Sequence, residues 1–246
     1  MIDFSPQLSR IPTICHGFGN KLALLPDSLQ PYRASQPNKK QVHGTRIVDV
    51  TEPGQECGEA DGLYTTQAGI LLTVLTADCL PVIFSHRQGK GIAVVHAGWR
   101  GLLDGIILKM VERIARDDDP ANWLAAIGPA ARSCCYEVNE GLVEQFVNRL
   151  PLAKNIISPR FRHLNLAAIA EHQLRGAGIH QVDRVGGCTI CTTTPECTTA
   201  PDESDANKHH FKYTSFRRTS QQQAIDPTHP GIKGRNHYSG LIILAE

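Results

Sequence analysis

The chain lacks a strong net charge, a long apolar run, a leader-like start and an internal repeat, and each absence removes a class of protein. A net charge of +1 without a basic run leaves no electrostatic footprint for nucleic acid or for a membrane surface. No apolar stretch approaches the roughly 20 residues that a membrane span needs. The opening MIDFSPQLSR is without the basic-then-apolar order of an export signal, so the expected location is the cytoplasm. Strands and helices mix without the regular alternation of a doubly wound sheet, which makes α+β the expected class. With 246 residues, 41% of them hydrophobic, the chain can build a full core, and one domain over residues 1–246 is expected.

Eight cysteines in a chain of this size without an export signal read as reduced thiols or ligands rather than disulfides. Most are expected to be small buried side chains, and adjacent Cys134 and Cys135 cannot easily bridge to each other. Cys188-Thr189-Ile190-Cys191 has metal-ligand spacing. Its sequence neighbours Cys197, His209 and His210 lie across an irregular, threonine-, proline- and acid-rich insertion, Thr192 to Asn207, so no second metal is expected. That insertion is expected to be the most mobile internal segment. No thioredoxin-like βαβ pattern surrounds the pair, which removes the redox reading.

What is present concentrates in Leu71 to Ile114. Apolar β-branched residues run from Ile70 to Val74, and Asp78-Cys79-Leu80-Pro81 is expected to end that run, because proline cannot continue a central ladder. Val82 to Phe84 and Ile92 to Val95 flank a glycine-containing turn that suits a hairpin. After His96-Ala97-Gly98-Trp99-Arg100-Gly101, apolar residues recur with helical spacing to Ile114, so one helix is expected to start near Trp99. Its N-terminal N–H groups would favour an anion beyond His96.

Elsewhere Cys15 to Gly19 and Ile47 to Val50 read as short strands, and Trp123 to Ile127 as another. Asn139 and Asn165 can cap helices reaching about Leu150 and Gly176. Ile179 to Val185, Phe211 to Arg217 and Leu241 to Leu244 read as strands, and Gln221 to Lys233 as a loop.

Three residues at strand ends, His43, Cys79 and His96, are candidates to gather. Two imidazoles and a thiolate are ligands that zinc accepts, and they leave one tetrahedral position open, the pattern of a catalytic site. Taken singly, each histidine is more often a hydrogen-bonded core or surface residue and Cys79 an apolar filler. Asp61 and Asp78 are candidates to orient a ligand imidazole or to act as general base, although a turn or cap role suits Asp61 equally. Arg100, and with less reason Arg217, could hold phosphate, or be plain solvated side chains.

The same residues carry a resemblance. Gln41-Val42-His43-Gly44, Glu59-Ala60-Asp61-Gly62, Ala77-Asp78-Cys79-Leu80-Pro81, His96-Ala97-Gly98-Trp99-Arg100-Gly101, Cys134-Cys135-Tyr136-Glu137-Val138, Cys188-Thr189 and Ser215-Phe216-Arg217-Arg218 resemble the YfiH or laccase-domain family. Its members are purine nucleoside phosphorylases formerly classed as polyphenol oxidases. The resemblance implies zinc held by His43, Cys79 and His96, and phosphate-dependent cleavage of adenosine, inosine, guanosine or methylthioadenosine, with deamination of adenosine besides. It also implies a monomer and an αββα layered fold like that of bacterial deamidating toxins of the cytotoxic-necrotizing-factor type. Residues 1–40 depart from it: they are too short and proline-broken for the family's Arg-Gly-Gly turn and preceding helix.

Three other readings compete with the zinc phosphorylase. Copper-dependent phenol oxidation would need more histidine ligands than this cluster supplies, and the sequence has no His-x-His pair. A cysteine hydrolase would use Cys79 as nucleophile and His96 as base. A non-catalytic zinc protein would need a fourth protein ligand near the cluster.

Overall fold

Short apolar runs dominate the middle of the chain, and the computed structural model, which describes residues 3–194 and 211–245, folds them into two stacked sheets. In chain order the strands are β1 (Ile14–Phe18), β2 (Asn38–Lys40), β3 (Ile47–Asp49), β4 (Glu56–Glu59), β5 (Gly62–Thr65), β6 (Leu72–Thr76), β7 (Leu80–His86), β8 (Ile92–Ala97), β9 (Trp123–Ile127), β10 (Gln181–Arg184) and β11 (His237–Ile243). The helices are α1 (Trp99–Leu103), α2 (Ile106–Ile114), α3 (Glu140–Arg149), α4 (Lys154–Ile157), α5 (Leu166–Gly176) and α6 (Phe216–Ile225). One sheet runs β10-β9-β7-β8-β5-β3, a second runs β1-β11-β6, and β2 pairs with β4.

Side-chain alternation explains the stacking. Val82 and Phe84 of β7 pack with Ile107, Met110, Ile114, Ile169 and Leu174 of the helices, while Ile83 faces Phe18, Leu72, Val74 and Leu241 of the second sheet. β8 divides likewise, Ala93 and Val95 towards the helices and Ile92 and Val94 towards the other sheet. Covered on both faces, β7 and β8 are buried along their whole length, which is why they read as continuous apolar runs. The outer face of the second sheet, with Leu71 and Ile242, is closed by Leu25, Leu29 and Tyr32. The last two belong to a 3-10 helix, Asp27–Ser35, with Pro31 inside it. The architecture is therefore α+β in four layers, and the outermost layer is this single 3-10 helix rather than α-helices.

Four expectations need correction. Pro81 does not interrupt the sheet: it lies within β7 opposite His96. Its carbonyl accepts the Gly128 N–H, just beyond the first β9 partner Ile127, and the Gly128 carbonyl is taken by the Arg132 guanidinium. The missing proline N–H is thus compensated by a side chain. The expected single helix breaks into α1 and α2 at Asp104-Gly105, where Gly105 has φ +86°. Phe211 to Arg217 does not form a strand; Ser215 accepts a hydrogen bond from the Arg218 N–H and starts α6, which consumes part of the expected loop beyond Gln221. Among the seven described cysteines, Cys57 and Cys188 are buried but Cys134 and Cys191 are exposed, so the thiols are not mainly core filler. Asn139 and Asn165 do cap α3 and α5, accepting from the Leu142 and Ala168 N–H groups. The expected mobile segment Thr192 to Asn207 lies mostly outside the described residues. Among those described, no helix is long and apolar enough to cross a membrane.

Candidate metal centre

Cys79 sits in the turn between β6 and β7, His96 in β8 opposite Pro81, and His43 in the turn after β2. Two of these positions depend on unusual backbone: His43 has φ +60° and the residue before Cys79, Asp78, has φ +96°. Positive φ costs free energy in residues other than glycine, and it persists only where surrounding contacts hold it. The result is convergence. One donor atom from each of His43, Cys79 and His96 lies within 4.8 Å of the others, and the two imidazoles meet edge to face with centroids 4.8 Å apart.

Asp61, fully buried just ahead of β5, holds the cluster together. Its carboxylate accepts the backbone N–H groups of Val42 (3.1 Å), His43 (3.0 Å) and Gly44 (2.8 Å), and meets His96 Nδ1 at 2.7 Å. Burial alone would raise its pKa; the bonds from His96, Gly44 and Val42 outweigh burial and keep the carboxyl below its ordinary value. Burial also holds His96 below the usual histidine value although Asp61 pulls the other way. A neutral imidazole that gives its Nδ1 proton to an ionised Asp61 presents the Nε2 lone pair to the cluster, the arrangement by which carboxylates fix ligand histidines. The sequence left Asp61 and Asp78 interchangeable, and the geometry separates them. Asp78 is bound instead by Thr189 Oγ1 (2.6 Å), Ser215 Oγ (3.0 Å) and the Arg217 N–H (2.7 Å), which ties the Cys79 turn to the start of α6.

The donor set fits a cation. Burial first, then the carboxylates of Asp78 and Asp61, push the Cys79 thiol up to about 12. A cysteine nucleophile needs the opposite environment, one that lowers the thiol, so the hydrolase reading loses its support. Two carboxylates and a thiol around two imidazoles form a site whose missing component is positive charge. His43, Cys79 and His96 are the residues that would hold it.

Gly98 makes room for this arrangement. A Cβ there would lie 3.0 Å from His43 Cδ2 and 3.1 Å from Cys79 Sγ, closer than side chains normally tolerate. Gly98→Ala is expected to weaken zinc binding about tenfold or more while moving the melting temperature little, because the strain falls on the two ligands rather than on the core. Isothermal titration with zinc beside a thermal melt checks this.

Around the cluster stand groups that the sequence reading ranked low or missed. Arg100 is exposed and lies over the Trp99 ring at 4.3 Å. It stands in a five-residue helix, too short for the long dipole that the sequence suggested. Arg217 gives a hydrogen bond to the Glu137 carbonyl and lies over the Tyr136 ring at 5.3 Å. Tyr136 was missed as a site residue: burial, then Cys79, push its phenol up to about 12. Its only sequence signal was the place beside two cysteines. Lys39, lowered to about 8 by burial with Asp61 acting against it, donates to the Gln41 side chain at 2.7 Å. The grooves of the chain lie elsewhere, one lined by Glu140, Lys154 and Phe161 and another by Arg46, Lys109 and Arg113.

The family described as multi-copper polyphenol oxidoreductase laccase matches residues 25–195. Among curated proteins, a purine nucleoside phosphorylase of Xylella fastidiosa is 37% identical over 161 residues, 61% of this chain and 61% of that protein. A purine nucleoside phosphorylase of Haemophilus influenzae is 38% identical over 157 residues, 61% of this chain and 62% of the relative. The purine nucleoside phosphorylase YfiH of Escherichia coli is 34% identical over 152 residues, with the same shares. The chain thus spans 61% to 62% of the length of these curated relatives. The fold is that of YlmD from Geobacillus stearothermophilus, with a TM-score of 0.72 at 23% identity over 98% of this chain and 94% of that one. It is likewise that of the Bacillus licheniformis YfiH protein, with a TM-score of 0.71 at 24% identity over 94% and 93%.

Proposed function

We propose that this chain, which belongs to the multi-copper polyphenol oxidoreductase laccase family, is a zinc-dependent purine nucleoside phosphorylase. The observation that carries the reading is the Asp61-oriented His96 beside His43 and Cys79, in a chain whose curated relatives are named for that activity. Two nitrogens and one sulfur leave a fourth position open, as catalytic zinc requires. When bound, zinc supplies a Lewis acid. The chain's own residues do the rest. Asp61 fixes the His96 tautomer and sets the His43 turn. Tyr136 offers a half-buried phenol against which a purine or ribose can lie. Arg100 and Arg217, each stacked on an aromatic ring, are the cations that would hold phosphate for attack on the ribose C1′ while the base departs.

The test is release of free base from adenosine, inosine, guanosine and methylthioadenosine with phosphate, and release of ammonia from adenosine. Arg100→Ala is expected to lower phosphorolysis roughly tenfold and to leave deamination less affected, because the loss of one phosphate contact is worth about 1.5 kcal/mol. Two histidines and a cysteine are also the donors of a mononuclear copper site, so metal analysis of protein purified without added metal comes first. Zinc-loaded protein inactive in both assays, and oxidising phenols once copper is supplied, would replace this reading with the oxidase.

A further inference from the structure

We infer a second zinc site, a closed tetrathiolate made by Cys134, Cys135, Cys188 and Cys191. It is independent of the nucleoside reading. β9 and β10 are parallel neighbours, and their pairing continues past the strand ends in a bridge between Ala130 and Cys188. The two loops that follow therefore emerge side by side, one carrying the adjacent pair and the other the Cys-Thr-Ile-Cys segment. A turn closed by bonds from the Cys135 and Tyr136 N–H groups to the Arg132 carbonyl carries Cys134 and Cys135 to the cluster. All four sulfurs lie within 4.8 Å of one another, and all four thiols are free.

The spacing selects a metal over a disulfide. A disulfide needs about 2.05 Å between sulfurs. A zinc tetrahedron with bonds of about 2.3 Å has sulfur–sulfur edges of about 3.8 Å, and Cys134 Sγ stands 3.7 Å from Cys191 Sγ. Backbone donors complete the pattern: the Arg132 N–H reaches Cys188 Sγ at 3.4 Å, and the Ile190 and Cys191 N–H groups point to the same sulfur. Such N–H···S bonds orient and stabilise a ligand thiolate.

Charge balance gives a second, independent observation. Zinc with four thiolates carries net negative charge, and two guanidinium groups are placed beside it. Arg132 is held by the Gly128 and Val185 carbonyls, and Arg218 by those of Thr189, Ile190 and Tyr213. Among the described residues, Arg132 has no carboxylate within ion-pair distance. Four protein ligands leave no position for substrate, so the site is structural. What it secures is the segment whose Thr189 hydroxyl binds Asp78 beside Cys79.

The experiment uses the full chain, purified reducing and without added metal. The double variant His43→Ala, Cys79→Ser disables the first centre and leaves the four cysteines intact. It is expected to retain one zinc per chain, and X-ray absorption should show an all-sulfur shell at about 2.3 Å. Cys134→Ser with Cys191→Ser, both at exposed positions, should lose one zinc equivalent relative to the unsubstituted chain. Should that variant fail to fold, the first measurement decides alone. No zinc in the His43→Ala, Cys79→Ser protein would overturn the site, as would iron in its place, a shell containing nitrogen or oxygen, or a thiol titration showing these cysteines oxidised.

Discussion

Asp61→Asn is expected to lower zinc affinity by about 10- to 100-fold and the stability of the zinc-free protein by about 3–5 kcal/mol. The carboxylate accepts three backbone N–H groups and one imidazole, and it is completely buried. An amide of the same shape has one acceptor and one donor end. Whichever way it turns, its NH2 group faces N–H donors of the His43 turn or the Nδ1 proton of His96, and at least one donor is left unpaired. Loss of the negative charge also releases His96 to carry its proton on either nitrogen. Urea denaturation of chelated protein gives the first quantity and competition with a zinc indicator the second. Unchanged stability would mean that the 42–44 turn is held by something other than Asp61.

Cys79→Ser should reduce phosphorolysis by more than about 100-fold, a larger loss than changes beyond the ligands themselves produce, while the fold survives. Serine fills nearly the same volume, and the strained turn is held by Asp78 through Thr189, Ser215 and Arg217 rather than by the thiol. A serine hydroxyl does not ionise here and is a poor zinc ligand, so the open-position chemistry disappears with the metal. Circular dichroism should match the unsubstituted chain when kcat/KM has collapsed. A Cys79→Ser protein that keeps both zinc and activity would remove Cys79 from the centre and return it to the role of filler.

The parts of this molecule that the sequence disclosed are those governed by near neighbours. The β7–β8 hairpin was visible because both strands are buried on two faces, and the α3 and α5 starts because Asn139 and Asn165 act within one turn. Errors arose where a local rule met a distant partner. Pro81 was read as a strand breaker, yet Arg132 reaches back to the Gly128 carbonyl that proline leaves free. Asp104-Gly105 did carry a turn signal, but the apolar periodicity from Leu102 to Ile114 overrode it. Phe211 to Arg217 drew a strand reading from its aromatics, while Ser215 was a cap.

The candidate centre divides in the same way. His43, Cys79 and His96 were selected by chemistry and by their place at the ends of apolar runs. Nothing local could give Asp61 the central role, because its partners come from β8 and from the turn after β2. The cysteine group was half visible. Cys188 and Cys191 showed ligand spacing, but joining them to Cys134 and Cys135 requires knowing that β9 and β10 are parallel neighbours.

In the smaller sheet β11 lies between β1 and β6, which do not touch each other. β1 emerges from the ribosome early and β11 near the end of synthesis, so β1 and β6 must wait, unpaired and apolar, for nearly the whole chain. Loop closure over such a span makes the pairing slow, and exposed strand edges are templates for association. The nascent chain therefore depends on its final strand to bury one face of the larger sheet. Chaperone capture of unfinished chains would protect this protein for as long as that strand is missing.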